Sequence, residues 1–254
     1  MAAMNSRHCL NCQAPLPSPF CGQCGQSAKV HRFTLAGLLH DVPHAVFHVE
    51  RGILATLAGL LRRPGVTINA YLDGQRVRFF NPLSLLVLMA GAYAALYNQP
   101  FLLSILEPLF DDSRARGHIT GMLGWTTRWY SVLLLLSVPL MGGLNWLFYR
   151  QQGRNVAEHM VIMAFTNAVS TLLMILPLYP LLLALHWSGW AGAQRWMGMA
   201  WLAVAFITLA YQGWAVAQVF AQQKGTGLRG GGSMLLMCLL AGGVGVLGGV
   251  LAMR

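Results

Sequence analysis

From Pro82 onward the chain is built of long apolar runs of Leu, Val, Ala, Met, Gly and Trp, with the charges gathered into the short segments between them. A run of roughly 20 such residues matches the hydrocarbon core of a bilayer and cannot be solvated by water. Five membrane spans are expected, at about 82–106, 129–149, 157–185, 196–220 and 234–253. The first reaches that length only as a helix kinked through Pro100, and Pro177 and Pro180 are expected to bend the far end of the third. Trp125, Trp129, Tyr149, Trp187, Trp190 and Trp196 recur at segment ends as an aromatic belt. Charged residues make up 9% of the 254, against about 25% in a soluble domain. A soluble globule is excluded, and 56% hydrophobic content excludes a disordered chain. The first 30 residues hold no apolar signal-peptide core, so secretion is not expected.

Four of the five cysteines, Cys9, Cys12, Cys21 and Cys24, lie before that membrane region. A two-residue spacer folds each pair into a knuckle that points both thiolates at one ion, and two knuckles complete a tetrahedral site. Gly22 and Gly25 let the second knuckle turn so that amide protons face sulfur. The first, Cys-Leu-Asn-Cys-Gln, has no glycine and is expected to be the weaker half. Disulfides are the competing reading, but nothing directs this segment out of the reducing cytoplasm. A structural zinc ribbon over 1–30 follows, because four thiolates leave no open coordination position. Cys238, in a Gly-rich apolar run, reads as an inert core thiol.

Residues 31–81 form a juxtamembrane helical region. Asp41 before Pro43 breaks a single long helix, so a short helix near His40 and a second from about Asp41 to Leu61 are expected. Val46, Val49, Ile53, Leu57 and Leu60 share one face, extended by Phe47, Leu54 and Leu61, while His44, His48, Arg51 and Arg62 share the other. Such an amphipathic helix either lies in the membrane interface or packs on the bundle, and the sequence leaves both open. His44 and His48, four residues apart with Asp41 a turn earlier, make a second candidate metal set, although two histidines on a basic helix are more often only surface groups. Arg62-Arg63-Pro64-Gly65 reads as a turn, Thr67 caps a brief helix closed by Gly74, and Asn81-Pro82 opens the first span. Arg51, Arg62, Arg63, Arg76 and Arg78 are candidates for contact with lipid headgroups. Basic and aromatic residues together also suit single-stranded nucleic acid, which a membrane helix starting next makes the lesser reading.

The elements Arg32-Phe33-Thr34, His44-x-x-Phe47-His48-x-Glu50-Arg51-Gly52, Arg63-Pro64-Gly65, Ile68, Tyr71-x-Asp73-Gly74-x-Arg76 and Phe80-Asn81-Pro82 follow one another in order. Preceded by the cysteine knuckles, they resemble the bacterial membrane family known as domain-of-unknown-function family 3667. The resemblance implies a class and a bacterial inner-membrane location and no activity.

The expected fold is therefore an all-α polytopic membrane protein with an N-terminal ribbon. With the ribbon in the cytoplasm, twelve basic residues lie inside and five outside, which agrees with the positive-inside rule and places the C-terminus outside. Intramembrane polar residues are few: Asn145, Asn167, Ser170, Thr171 and Gln212, with Glu158-His159 at the edge of the third span. Amides and hydroxyls in such helices more often join helices than bind substrate. Ala241, Gly245 and Gly249 give the last span a small-residue face for close packing, within the bundle or across a homo-oligomer. No catalytic triad, phosphate loop or paired intramembrane carboxylates is visible. Three classes remain: a non-enzymatic protein whose ribbon docks a cytoplasmic protein partner or anionic membrane lipids, which is preferred; a channel or transporter lined by Asn145, Asn167 and Gln212; and a metal-dependent enzyme using Asp41, His44 and His48.

Overall fold

A computed structural model describes residues 8–38, 52–97, 113–188 and 193–221. Its helices are α1 (Ile53–Arg62), α2 (Pro64–Leu72), α3 (Pro82–Leu96), α4 (Ser113–Tyr149), α5 (Val156–Ser188) and α6 (Ala193–Val219). Among the described residues β-structure is limited to two isolated bridges in the ribbon, His8 with Pro15 and Phe20 with Ser27.

Three stretches are long and apolar enough to cross a membrane: Arg128–Gln152, Val156–Ala184 and Leu202–Val219. Of the expected first span, the helix α3 is described as far as Leu96. The 15 residues of α3 reach about 22 Å at 1.5 Å per residue, less than the hydrocarbon thickness. Tyr97 caps α3 just ahead of Asn98-Gln99-Pro100, and a proline disfavours helix in the residue before it. The continuation to Leu106 lies outside the described residues, as do the fifth segment with Ala241, Gly245 and Gly249, and Cys238. The second segment stands where expected, its apolar stretch starting at Arg128, although the helix that carries it, α4, already starts at Ser113. Its first turns carry Arg114, Arg116 and Arg128, so hydropathy reads them as a loop although helical backbone tolerates them. Pro177 and Pro180 both lie inside a helix that continues to Ser188.

The central element is α5, which packs on α3, α4 and α6. Its membrane window is 67% buried, against 17% for α4 and 28% for α6. Small residues make this possible: Ala164 and Ala168 are fully buried, and a Cβ on Gly142 of α4 would come within 2.8 Å of Met160. Within the bundle Asn167 donates to Ser137 at 2.9 Å and accepts from Gln212 at 3.0 Å, while Tyr130 pairs with Thr171 at 3.1 Å. These groups satisfy one another and join α4, α5 and α6.

The two readings of the amphipathic segment separate here. Leu60, Ile68, Tyr71, Phe79 and Phe80 share one core with Ile162, Phe165 and Val216 of the bundle. The segment therefore packs on the helices, with Ile53 and Leu57 half-buried against the same core. Leu54 and Leu61 do not follow the rest of the stripe; they remain exposed. Arg62-Arg63-Pro64-Gly65 is not an open turn either. Only Arg63 is non-helical, and Pro64 starts α2 at the position where a fixed φ and a missing N–H cost nothing. Gly74 closes α2 as expected, at φ 111, with its N–H on the Tyr71 carbonyl and that of Gln75 on Ala70. Asn81 caps α3 by accepting from the Leu83 and Ser84 amides.

A candidate metal centre and its mounting

The two cysteine knuckles are near copies. The Cys9 amide donates to the Ala14 carbonyl and Gln13 returns a bond to Cys9, just as the Cys21 amide donates to Gln26 and Gly25 returns one to Cys21. At matching positions Gln13 has φ 63 and Gly25 has φ 76. The first knuckle thus reaches the same geometry without a glycine, by holding Gln13 in the left-handed region.

All four sulfurs lie within 4.8 Å of one another. Cys9 and Cys24 approach to 3.5 Å, as do Cys12 and Cys21, so the close pairs run between knuckles. A disulfide needs about 2.05 Å, and all four cysteines are free thiols. Tetrahedral coordination at about 2.3 Å per sulfur spaces the sulfurs by roughly 3.8 Å, so the residues fit a single ion. The amides of Cys24 and Gln23 face the Cys21 sulfur and lower its pKa to about 6, favouring the thiolate that binds metal.

The ribbon is bolted to the membrane helices by side chains that mimic backbone. Buried Gln26 donates through Nε2 to the Gly74 carbonyl at 2.9 Å and accepts at Oε1 from the amides of Arg76 (3.1 Å) and Val77 (3.3 Å). Asn11 accepts from the Arg78 amide at 3.1 Å. Gly74 must be glycine on two grounds, its positive φ and the Leu10 methyl only 2.8 Å from where a Cβ would stand. The chain leaving the ribbon is held as firmly. Arg32 forms a two-pronged pair with buried Glu158 at 2.8 and 2.7 Å and also donates to the Gly153 carbonyl. Glu158 in turn raises the Arg32 pKa through that hydrogen bond. The Phe33 ring takes the Arg76 guanidinium at 4.0 Å on its face and stacks with Tyr71 at 5.7 Å, and Tyr71 meets Phe165 of α5 edge-on at 5.2 Å.

The start of α5 receives these contacts. Asn155 and Glu158 exchange backbone amide bonds as a capping box, and Asn155 Nδ2 donates to the Phe33 carbonyl at 2.9 Å. Arg154 joins Asn69 (3.0 Å) and Asp73 (3.2 Å). Beside them, α2 meets the end of α6 so closely that a Gly65 Cβ would stand 2.5 Å from the Gln218 backbone. Asn69 donates to the Val219 carbonyl at the α6 terminus. His159 is fully buried, bonded through Nδ1 to Asn145 at 3.0 Å.

The sequence-predicted groups thus sort themselves. Cys9, Cys12, Cys21 and Cys24 converge. Arg62, Arg63 and Arg78 line one groove between α1 and α2, whereas Arg76 is committed to the mounting. Asp41, His44, His48 and Arg51 lie outside the described residues. Asn167 and Gln212 meet, but Asn145 is paired apart from them with His159. Sequence reasoning missed Gln26 and Asn11, which carry no local signal. It also passed over the Asn155-x-x-Glu158 capping pattern, which was there to be found.

Residues 50–93 match the profile of a family described as "Protein of unknown function (DUF3667)", the same family suggested by the motif string. The match covers α1, α2 and α3 as far as Tyr93. No curated protein and no solved structure matches the chain.

Proposed function

We propose that this chain is a non-enzymatic protein of the bacterial inner membrane whose zinc ribbon is a rigidly mounted cytoplasmic docking module for a protein partner. The observation that carries this reading is the asymmetry of the ribbon. The ribbon is fixed to the bundle through Gln26, Asn11 and the Arg32–Glu158 pair, while the loop between its knuckles leaves Phe20 62% exposed. Pro17, Pro19 and Gln23 around it are exposed as well. A stiff proline loop that offers a large aromatic side chain to solvent suits protein recognition, because little conformational freedom is lost on binding. Four clustered thiolates with no position left for water favour zinc in a structural role. The excess of basic residues on the ribbon side of the spans supports a cytoplasmic ribbon. Transport loses support because Asn167, Gln212 and Ser137 are satisfied by one another.

The test is affinity purification of the full chain in mild detergent from its own cells, with bound proteins quantified by mass spectrometry. A stoichiometric partner should be retained by the wild type and lost from both Phe20→Ser and the Cys21→Ser/Cys24→Ser double variant. A partner unaffected by either change, or a small solute in place of any protein, would contradict the docking reading.

A further inference from the structure

Between α1 and α2 runs a groove of about 560 Å³ whose lining includes Ala55, Ala58 and Gly59 together with Arg62, Arg63 and Arg78. The two helices cross closely because Gly59 has no side chain; a Cβ there would stand 2.6 Å from the Thr67 hydroxyl. The small residues leave room, and the three arginines make that room strongly basic. Both described carboxylates are engaged elsewhere, Asp73 with Arg154 and Glu158 with Arg32. No ion pair to Arg62, Arg63 or Arg78 occurs among the described residues.

The surroundings of this basic groove are apolar, which a soluble anion would not require. Leu54 is 80% exposed, Val66 66% and Leu61 39%. The groove also sits beside the membrane region and not above it. The Leu60 carbonyl accepts from the Tyr211 hydroxyl at 3.2 Å, and Tyr211 lies about 12 Å, at 1.5 Å per residue, inside the end of the span Leu202–Val219. A basic groove flanked by exposed aliphatic side chains at that depth matches a molecule with a charged head and apolar tails.

We propose that this groove holds one anionic phospholipid of the ribbon-side leaflet, its phosphate among Arg62, Arg63 and Arg78 and its acyl chains along Leu54, Leu61 and Val66. The proposal deepens the reading of the chain as a membrane protein and rests on it. Guanidinium groups suit the phosphate because their planar donors meet two oxygens at once. A net negative headgroup is preferred over a zwitterionic one because no carboxylate among the described residues lines the groove to pair with the quaternary amine of the latter.

The experiment is native mass spectrometry of the full chain, delipidated in detergent and titrated with phosphatidylglycerol, phosphatidylcholine or inorganic phosphate. One phosphatidylglycerol per chain should bind in preference to phosphatidylcholine, and millimolar inorganic phosphate should not displace it. Binding should fall by about tenfold or more in Arg62→Gln/Arg63→Gln/Arg78→Gln. It should fall by a smaller factor in Arg62→Lys/Arg63→Lys/Arg78→Lys, which keeps the charge and loses the planar two-oxygen geometry, and should survive in the control Arg128→Gln/Arg150→Gln. If the glutamine variant fails to fold, the lysine and control variants still decide the matter. Equal binding of the two lipids, displacement by phosphate, or equal loss in the control would overturn the proposal. Release of the chain from membranes by alkaline carbonate would refute the membrane reading itself, whereas a carbonate-resistant chain without lipid preference refutes the groove alone.

Discussion

Gln13 and Gly25 hold the same place in the two knuckles and the same left-handed backbone, yet only one of them is suited to it. A non-glycine residue in that region costs about 1–2 kcal/mol. Gly25→Gln should therefore weaken metal retention by about tenfold in a chelator competition, the fold-change that this cost converts to. Gln13→Gly should leave retention unchanged or tighten it, since relief of strain is offset by the greater freedom of glycine in the unfolded chain. A larger loss from Gln13→Gly than from Gly25→Gln would show that the knuckles are not equivalent. The cysteine spacing was legible because a knuckle is local, closed within six residues by its own backbone bonds. Gln26 was not, since an isolated glutamine gives no hint that its amide will stand in for a strand 48 residues away. Arg32 belongs with Gln26: its partner Glu158 is 126 residues distant, and only the fold brings them together.

Among the elements, α2 is the one most constrained by its neighbours. Pro64 starts it, Gly65 lets it touch α6, Asn69 caps the α6 terminus, Tyr71 bridges Phe33 to Phe165, and Gly74 ends it against the ribbon. Gly65→Val should force α2 from α6 and lower stability by about 1–3 kcal/mol, the usual cost of overpacking. Thermal unfolding in detergent would read this, and an unchanged midpoint would mean that α2 is not docked on α6. Propensity and capping revealed where α2 ends and α3 begins. Hydropathy placed the apolar stretch of α4 to within a residue of Arg128 but gave no sign of the helical turns before it, where arginines look like loop.

Across the whole molecule, Phe80 and the start of α3, the end of α4, the start of α5 and the end of α6 all gather at the ribbon end, while Tyr93, Tyr97, Tyr130 and Tyr179 cluster together elsewhere. On the proposed topology the ribbon and residue 221 share one side of the membrane. A reporter fused after Ala221 should behave as cytoplasmic, fluorescent and phosphatase-inactive, and a fifth span would give the opposite readout for one fused after Arg254. An active phosphatase after Ala221 would invert or break the helical order of the bundle. Five residues of the motif string, Arg32, Phe33, Tyr71, Gly74 and Arg76, meet at this scale, where ribbon and helices join. There they mount the ribbon on the helices.

The central claim is that a metal-held ribbon is locked onto the membrane helices through the loop after α2. The Arg76 and Val77 amides are held by Gln26 and the Arg78 amide by Asn11, so all three depend on the ribbon's fold. Hydrogen exchange of a peptide covering 74–80 in the full chain, before and after the metal is stripped, tests this most directly. Slow exchange with metal and at least about tenfold faster exchange without it is expected, because an unfolded ribbon cannot accept these bonds. Equal exchange in the two states would contradict the account.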